Sequence, residues 1–370
     1  DPRYPRGPVR RALLLVALAL ACRKQATEPA RPDAGAVAPP PAVSPCADAP
    51  VPEDTSQAVR RAQALLRCDD EPGALAIRRE LLRREPGSTA RAHALAALAH
   101  LVERPAETDA AVADLPLTPP ARAVYSLTRD VLAYLDRPDP ARGAALARDV
   151  AAALALAVDD PLVLSLALRF TAVHDADPGE RAAPICRERA DPQIVHPHDG
   201  AAVLAAACAR IAFLSGEPAD GRRRYARALE LASPDDIDDP ALAWAAAELA
   251  AGNDRKAARL YARAGEHPSA RLRYAAALGL GVARVRMHDR AGAEAAYRAA
   301  AALRGVSGRP VPADRLPPEL QFNLGSVLAD APDPAARAEA RALLTAYAAH
   351  PGADDRRRLR ARQLLRELGG

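Results

Sequence analysis

Two histidines one residue apart, His196 and His198, flank Pro197 and precede Asp199, forming the one cluster in this chain with the composition of a metal site. A His-x-His pair can hold zinc, but a third protein ligand and a scaffold are needed. Neither is legible nearby, so the pair reads as a solvated turn. Doubled acids at Asp69-Asp70, Asp159-Asp160, Asp235-Asp236, Asp238-Asp239 and Asp354-Asp355 raise the question of calcium. Calcium loops set their carboxylates at alternate positions around a glycine, and these runs do not. They stand just before helical stretches, where a carboxylate accepts first-turn amides and proline suits the first helical position. No Gly-x-Ser-x-Gly, His-Glu-x-x-His, phosphate-cradling glycine loop or dinucleotide fingerprint occurs. The sequence therefore names no catalytic residue, no metal and no cofactor, and the chain reads as a non-enzyme.

Cysteines carry the remaining chemistry. Setting Cys22 aside leaves Cys46, Cys68, Cys186 and Cys208, which fall into two sequential pairs, each 22 residues apart. In an exported chain an even count suggests bridges, with three connectivities open. The preferred set is Cys46–Cys68 with Cys186–Cys208. The second bridge would staple a helical hairpin whose turn holds Pro192, Pro197 and Gly200, and the first would pin the end of a proline-rich segment to the first helix. Each would stabilise by ~3 kcal/mol on a loop-entropy estimate. The competing reading is buried free thiols, because Cys208 sits in an alanine-rich helix where a small apolar side chain packs well.

The elements that must position these residues are helical. No sustained period-2 run of β-branched and aromatic residues occurs. Tyr225, Tyr261 and Tyr297 recur at intervals of 36 residues, each with a small residue four before it and an alanine three after. The sets are Gly221, Tyr225, Ala228; Ala257, Tyr261, Ala264; and Ala293, Tyr297, Ala300. Small–large–small at i, i+4 and i+7 makes one stripe of a helix. Gly216 and Gly252 stand nine residues before the first two tyrosines, where a helical hairpin needs its turn. Self-similarity at this period signals a stacked array. The pattern resembles the tetratricopeptide repeat, whose second helix carries A-x3-F/Y-xx-A and whose first carries Leu-Gly, here Leu280-Gly281 and Leu324-Gly325. The resemblance implies an all-α fold, a right-handed α-α superhelix of antiparallel helical hairpins. Repeats are placed over Ala202–Pro234, Asp238–Glu266, Tyr274–Ala302 and Pro318–Gly352, within a repeat region spanning 199–352. Residues 55–198 read as an irregular helical-repeat region, and 353–370 as a closing helix with arginines facing water, suited to a cap.

Residues 8–22 read PVRRALLLVALALAC, a basic start, an uncharged apolar run and small residues before Cys22. Ten apolar residues are too few to span a bilayer, which needs ~20, and the layout is that of a secretory signal over 1–21. Leu18 to Cys22 looks like a bacterial lipobox. That resemblance implies cleavage before Cys22, acylation of that cysteine and an outer-membrane address facing the periplasm. An ordinary signal peptide with a chance cysteine is the alternative. Residues 22–54 are rich in proline and alanine and cannot order themselves, so they read as a tether reaching up to ~90 Å where extended. The formal charge of +4 falls to +1 once four arginines and one aspartate leave with the leader. So small a net charge does not point to nucleic acid.

By the same resemblance, the first helix of each repeat lines a groove through Arg210, Phe213, Leu242, Leu249, Leu278, Val282, Val285 and Phe322. Such a groove is mostly apolar and suits a partner helix or extended segment. The competing reading is that these residues pack on the next repeat. The expected function is a non-catalytic, lipid-anchored scaffold that binds other envelope proteins or peptides. A structural subunit of an envelope assembly or secretion complex is the second reading, and a cell-wall enzyme or its regulator the third. Partner identity and oligomeric state are not legible.

Overall fold

The computed structural model describes residues 50–68, 70–157, 159–196, 198–233, 237–303 and 312–369. The leader, nearly all of the tether, Cys22 and Cys46 lie outside them. Among the described residues the chain forms seventeen α-helices and no strand. In order these are α1 (Thr55–Arg67), α2 (Glu71–Arg84), α3 (Thr89–Leu101), α4 (Pro105–Ala113), α5 (Pro119–Asp136), α6 (Pro140–Leu156), α7 (Pro161–His174) and α8 (Pro178–Ile185). There follow α9 (Ala201–Leu214), α10 (Pro218–Leu231), α11 (Pro240–Ala250), α12 (Asp254–Ala264), α13 (Ala270–Arg286) and α14 (Arg290–Ala302). The last three are α15 (Pro318–Ala329), α16 (Pro334–Ala349) and α17 (Asp355–Glu367).

Local chemistry explains most of these boundaries. Asp70, Asp160, Asp239 and Asp354, each adjacent to a second acid or to a helix start, accept backbone amides at the starts of α2, α7, α11 and α17. Capping of this kind satisfies donors that the helix itself leaves orphaned. Pro105 ends α3 by sequence, yet it also opens α4 at the first helical position, where its missing N–H costs nothing. The sequence pattern shows only the stop. The closing helix begins at Asp355, where Asp354 caps it through the Arg357 amide. After α8 the chain widens into one π-helical turn, Cys186–Ala190, just past Pro184, which offers no amide to the helical ladder.

Helices pack in consecutive pairs: α1 with α2, α9 with α10, α11 with α12, α13 with α14, and α15 with α16. In the first half the short α4 is bypassed, and α3 pairs with α5 instead. A continuous inner line α3–α5–α7–α9–α11–α13–α15 runs through the molecule, each member touching the next. Inner helices are apolar nearly all round and are buried accordingly. Ten of the fourteen residues of α9 are buried, against four of fourteen in its outer partner α10. Alanine on the inner helices allows this close approach.

Turns repeat as faithfully as helices. α3, α9, α11 and α13 each end in a left-handed residue, Glu103, Gly216, Gly252 and His288, at φ between 57° and 80°. In each case the next amide reaches back to the carbonyl five residues earlier, as in Arg104 to Ala99 and Asn253 to Glu248, both 2.9 Å. This is the Schellman closure of a helix. The same hairpin turn therefore also occurs in the region whose sequence reads as irregular. There Glu103, not glycine, occupies the left-handed position, and the usual glycine signal is absent.

Candidate binding surface

Tyr225, Tyr261 and Tyr297 occupy equivalent places on α10, α12 and α14, and each is at most 2% exposed. Their flanking residues Gly221, Ala228, Ala257, Ala264, Ala293 and Ala300 are also buried. Tyr225 stacks on Trp244 of the next hairpin, with ring centroids 5.9 Å apart. Tyr261 and Tyr297 instead lie against glycines on α13: a Cβ added at Gly279 would fall 2.4 Å from the Tyr261 ring, and one at Gly281 2.3 Å from the Tyr297 ring. Gly325 on α15 faces Leu344 of α16 in the same manner. Burial pushes the Tyr225 phenol up to about 12, against the pull of Arg210 and Arg169.

The residues expected to line a groove fare differently from one another. Leu242, Leu249 and Leu278 are buried in the core. Phe213 packs on Tyr225 and Phe322 on Tyr347, with centroids 6.0 and 5.1 Å apart. Arg210 is half-buried, and burial lowers its guanidinium pKa. Val282 is half-buried, which leaves Val285, 45% exposed, as the one residue of the set presented openly to solvent. Leu242 and Leu249 are covered where inner helices from both halves of the chain converge, whereas Leu278 packs with α14 to α16, and Phe213 and Phe322 pack within their own hairpins.

Asp238, in the loop before α11, marks that convergence. It receives a bond from Arg169 of α7 at 2.8 Å and faces His93 of α3 at 3.7 Å, while His93 Nδ1 meets the Thr128 hydroxyl of α5 at 3.0 Å. Burial alone would raise the Asp238 carboxyl, but Arg169 and His93 outweigh it and hold it well below the usual carboxylate range. Hydroxyl, imidazole and carboxylate in a row have the composition of a nucleophile and its base. Thr128, however, is wholly buried and His93 is 5% exposed, so this cluster ties α3, α5 and α7 to the loop before α11, with Asp238, its side chain 34% exposed, as the outermost member. Its members are scattered over four separate segments, so no spacing in the sequence signals it.

A second polar centre surrounds Glu248 of α11, whose side chain is fully enclosed. It accepts from Arg222 Nε at 2.8 Å, Trp244 Nε1 at 3.0 Å and Asn253 Nδ2 at 2.8 Å, and pairs with Lys256 Nζ at 3.0 Å. Burial would raise its pKa, but bonds from Arg222, Lys256, Trp244 and Asn253 hold it at about 2. The wide spread of donors in sequence hides this centre too; only Trp244 at i−4 is a visible signal.

Cys186, opening the π-helical turn, and Cys208 on α9 form a buried disulfide with Cα atoms 5.6 Å apart. The expected Cys46–Cys68 bridge and the lipidation site Cys22 involve residues outside those described. His198 directs both ring nitrogens at backbone oxygens, of Gln193 and Asp199, and His196 is exposed. Among the described residues no group of three His, Cys, Asp or Glu side chains converges as a metal site would, and no helix is long and apolar enough to cross a membrane. No protein-family model matches the chain, and no curated protein matches it significantly.

Proposed function

We propose that this chain is a non-catalytic scaffold of the bacterial envelope, built as a tetratricopeptide-type right-handed superhelix and held to the outer membrane by lipid on Cys22. On this reading the proline-rich tether sets the array away from the membrane, facing the periplasm, and the array binds other envelope proteins or peptides. The observation that supports it best is the repeated burial of Tyr225, Tyr261 and Tyr297, each flanked by buried small residues at the same helical spacing in successive hairpins. Constant interior packing frees the surface of each hairpin to vary, which is how stacked arrays build extended binding faces. Val285, together with Leu214 at the end of α9, supplies exposed apolar surface at the ends of inner helices.

The test is cross-linking in whole cells followed by identification of captured proteins, with Cys22→Ser run in parallel. A reproducible set of envelope partners is expected, together with loss of lipid labelling in the variant. Persistent labelling of Cys22→Ser would remove the anchor. Absence of any partner captured through residues 199–352 would remove the scaffold.

A further inference from the structure

A cleft of about 630 Å³ opens across the turn between α11 and α12. Four cationic side chains line it: Arg222 from α10, and Arg255, Lys256 and Arg259 from α12. Two of them are held from beneath. The enclosed Glu248 carboxylate binds Arg222 at 2.8 Å and Lys256 at 3.0 Å, and Lys256 also lies 4.4 Å above the Trp244 ring. The other two have no such partner. Arg255 and Arg259 are exposed, sit one helical turn apart on the same face, and make no hydrogen bond or ion pair with any other described residue. Their guanidinium groups therefore border the cleft with unused donors.

The backbone adds to this field. Asn253, at the cap position of α12, turns its side-chain amide to Glu248 rather than to the helix, so no side chain caps the first turn. Uncapped first-turn amides carry partial positive charge and favour oxyanions. Asp254, an acid lining the same cleft, is countered by Arg286, 3.5 Å away.

From this arrangement we infer a binding site for a phosphate-class oxyanion carried on a larger molecule. Guanidinium forks match the paired oxygens of phosphate, and a lysine adds a point charge. The cleft volume falls in the range of ligand pockets, ~300–1,000 Å³, more than a bare anion fills. The ligand is a phosphorylated small molecule or the headgroup of an anionic lipid, which share this chemistry. The site stands independently of the scaffold reading.

The test uses the full chain at fixed ionic strength with two probes: pyrophosphate followed by calorimetry, and phosphatidylglycerol vesicles followed by co-sedimentation, with phosphatidylcholine vesicles as the neutral reference. Wild type is expected to bind at least one probe. Arg255→Ala/Arg259→Ala, which removes no side-chain partner among the described residues, should weaken that binding at least tenfold with the thermal midpoint unchanged. Arg79→Ala on α2 should bind as wild type does. Binding of pyrophosphate alone assigns a soluble phosphate ligand, and binding of anionic vesicles alone assigns a lipid headgroup. The inference is overturned if wild type binds neither probe, if the double variant binds like wild type, or if Arg79→Ala weakens binding equally.

Discussion

Arg271 at the start of α13 donates through Nε to Glu71 at the start of α2, 2.8 Å away across 200 residues of chain. Its Nη1 also lies 3.5 Å from Glu103, beyond the end of α3. A stacked array in which each repeat met only its neighbours would hold no such contact. The pair therefore records that the helical line curls until its first hairpin meets α13. Arg271 and Glu71 are 11% and 19% exposed, which spares their interaction much of the screening that weakens surface pairs. A double-mutant cycle with Arg271→Met and Glu71→Gln should show a coupling of about 1–2 kcal/mol in chemical denaturation. Each single variant should also lose amide protection in both α2 and α13. Coupling near zero would mean that the two ends meet without holding each other.

Glycine at position 281 is required by the Tyr297 ring. Gly281→Ala should destabilise by about 2 kcal/mol through overpacking. Adding Tyr297→Leu should recover part of that loss, because Leu344 already faces Gly325 in the corresponding hairpin. Thermal denaturation of the two singles and the double reads this directly, and additive losses would contradict the contact.

His288 occupies a left-handed position that Gly216 and Gly252 fill in the two preceding hairpins. A Cβ costs roughly 1–2 kcal/mol there, offset in part by the greater backbone entropy of glycine in the unfolded chain. His288→Gly should consequently raise stability by about 0.5–1 kcal/mol, measured by denaturant midpoint. A loss of stability would show that the imidazole makes a contact worth more than the strain.

Cys186 and Cys208 lie 22 residues apart in the chain and close a ring of about that length. Reduction, or Cys208→Ala, should cost about 3 kcal/mol, with the first amide protection lost in the π-helical turn and α8. Comparison of urea unfolding with and without dithiothreitol tests this. Equal midpoints would mean that the helices on both sides fix the loop without help.

Acid should destabilise the protein in two stages. His267 accepts the Ser269 amide through Nδ1 at 3.0 Å, and burial, then Arg273 and Arg67, lower its pKa from 6.5 to about 4. A depressed histidine folds neutral, so its contribution is complete above pH 6.5 and declines as pH falls towards 4. Glu248, lowered from 4.5 to about 2, contributes fully above pH 4.5 and loses that contribution between 4.5 and 2. His267→Asn keeps an acceptor and cannot titrate, so its melting temperature should stay flat over the upper window while that of the wild type falls. Parallel profiles for the two proteins would exclude His267 as the cause.

What the sequence by itself determined is local and periodic. Tyrosines 36 residues apart, glycines nine residues before the first two and acids ahead of proline specify helices, turns and a buried stripe. Those features follow from contacts at i, i+4 and i+7, which any helix makes wherever it lies. Tertiary structure decided which stripe stays open. Leu242, Leu249 and Leu278 read as groove residues but are enclosed, and the cationic cleft by Gly252 is not legible in the sequence at all. Arg271 meets Glu71 across 200 residues and Asp238 meets Arg169 across 69, so these pairings depend on the sum of many turns, whereas Glu248 draws its partners from its own hairpin and the one before it. No periodicity within one helix carries that sum, which is why side chains far apart in the chain meet where spacing alone could not place them.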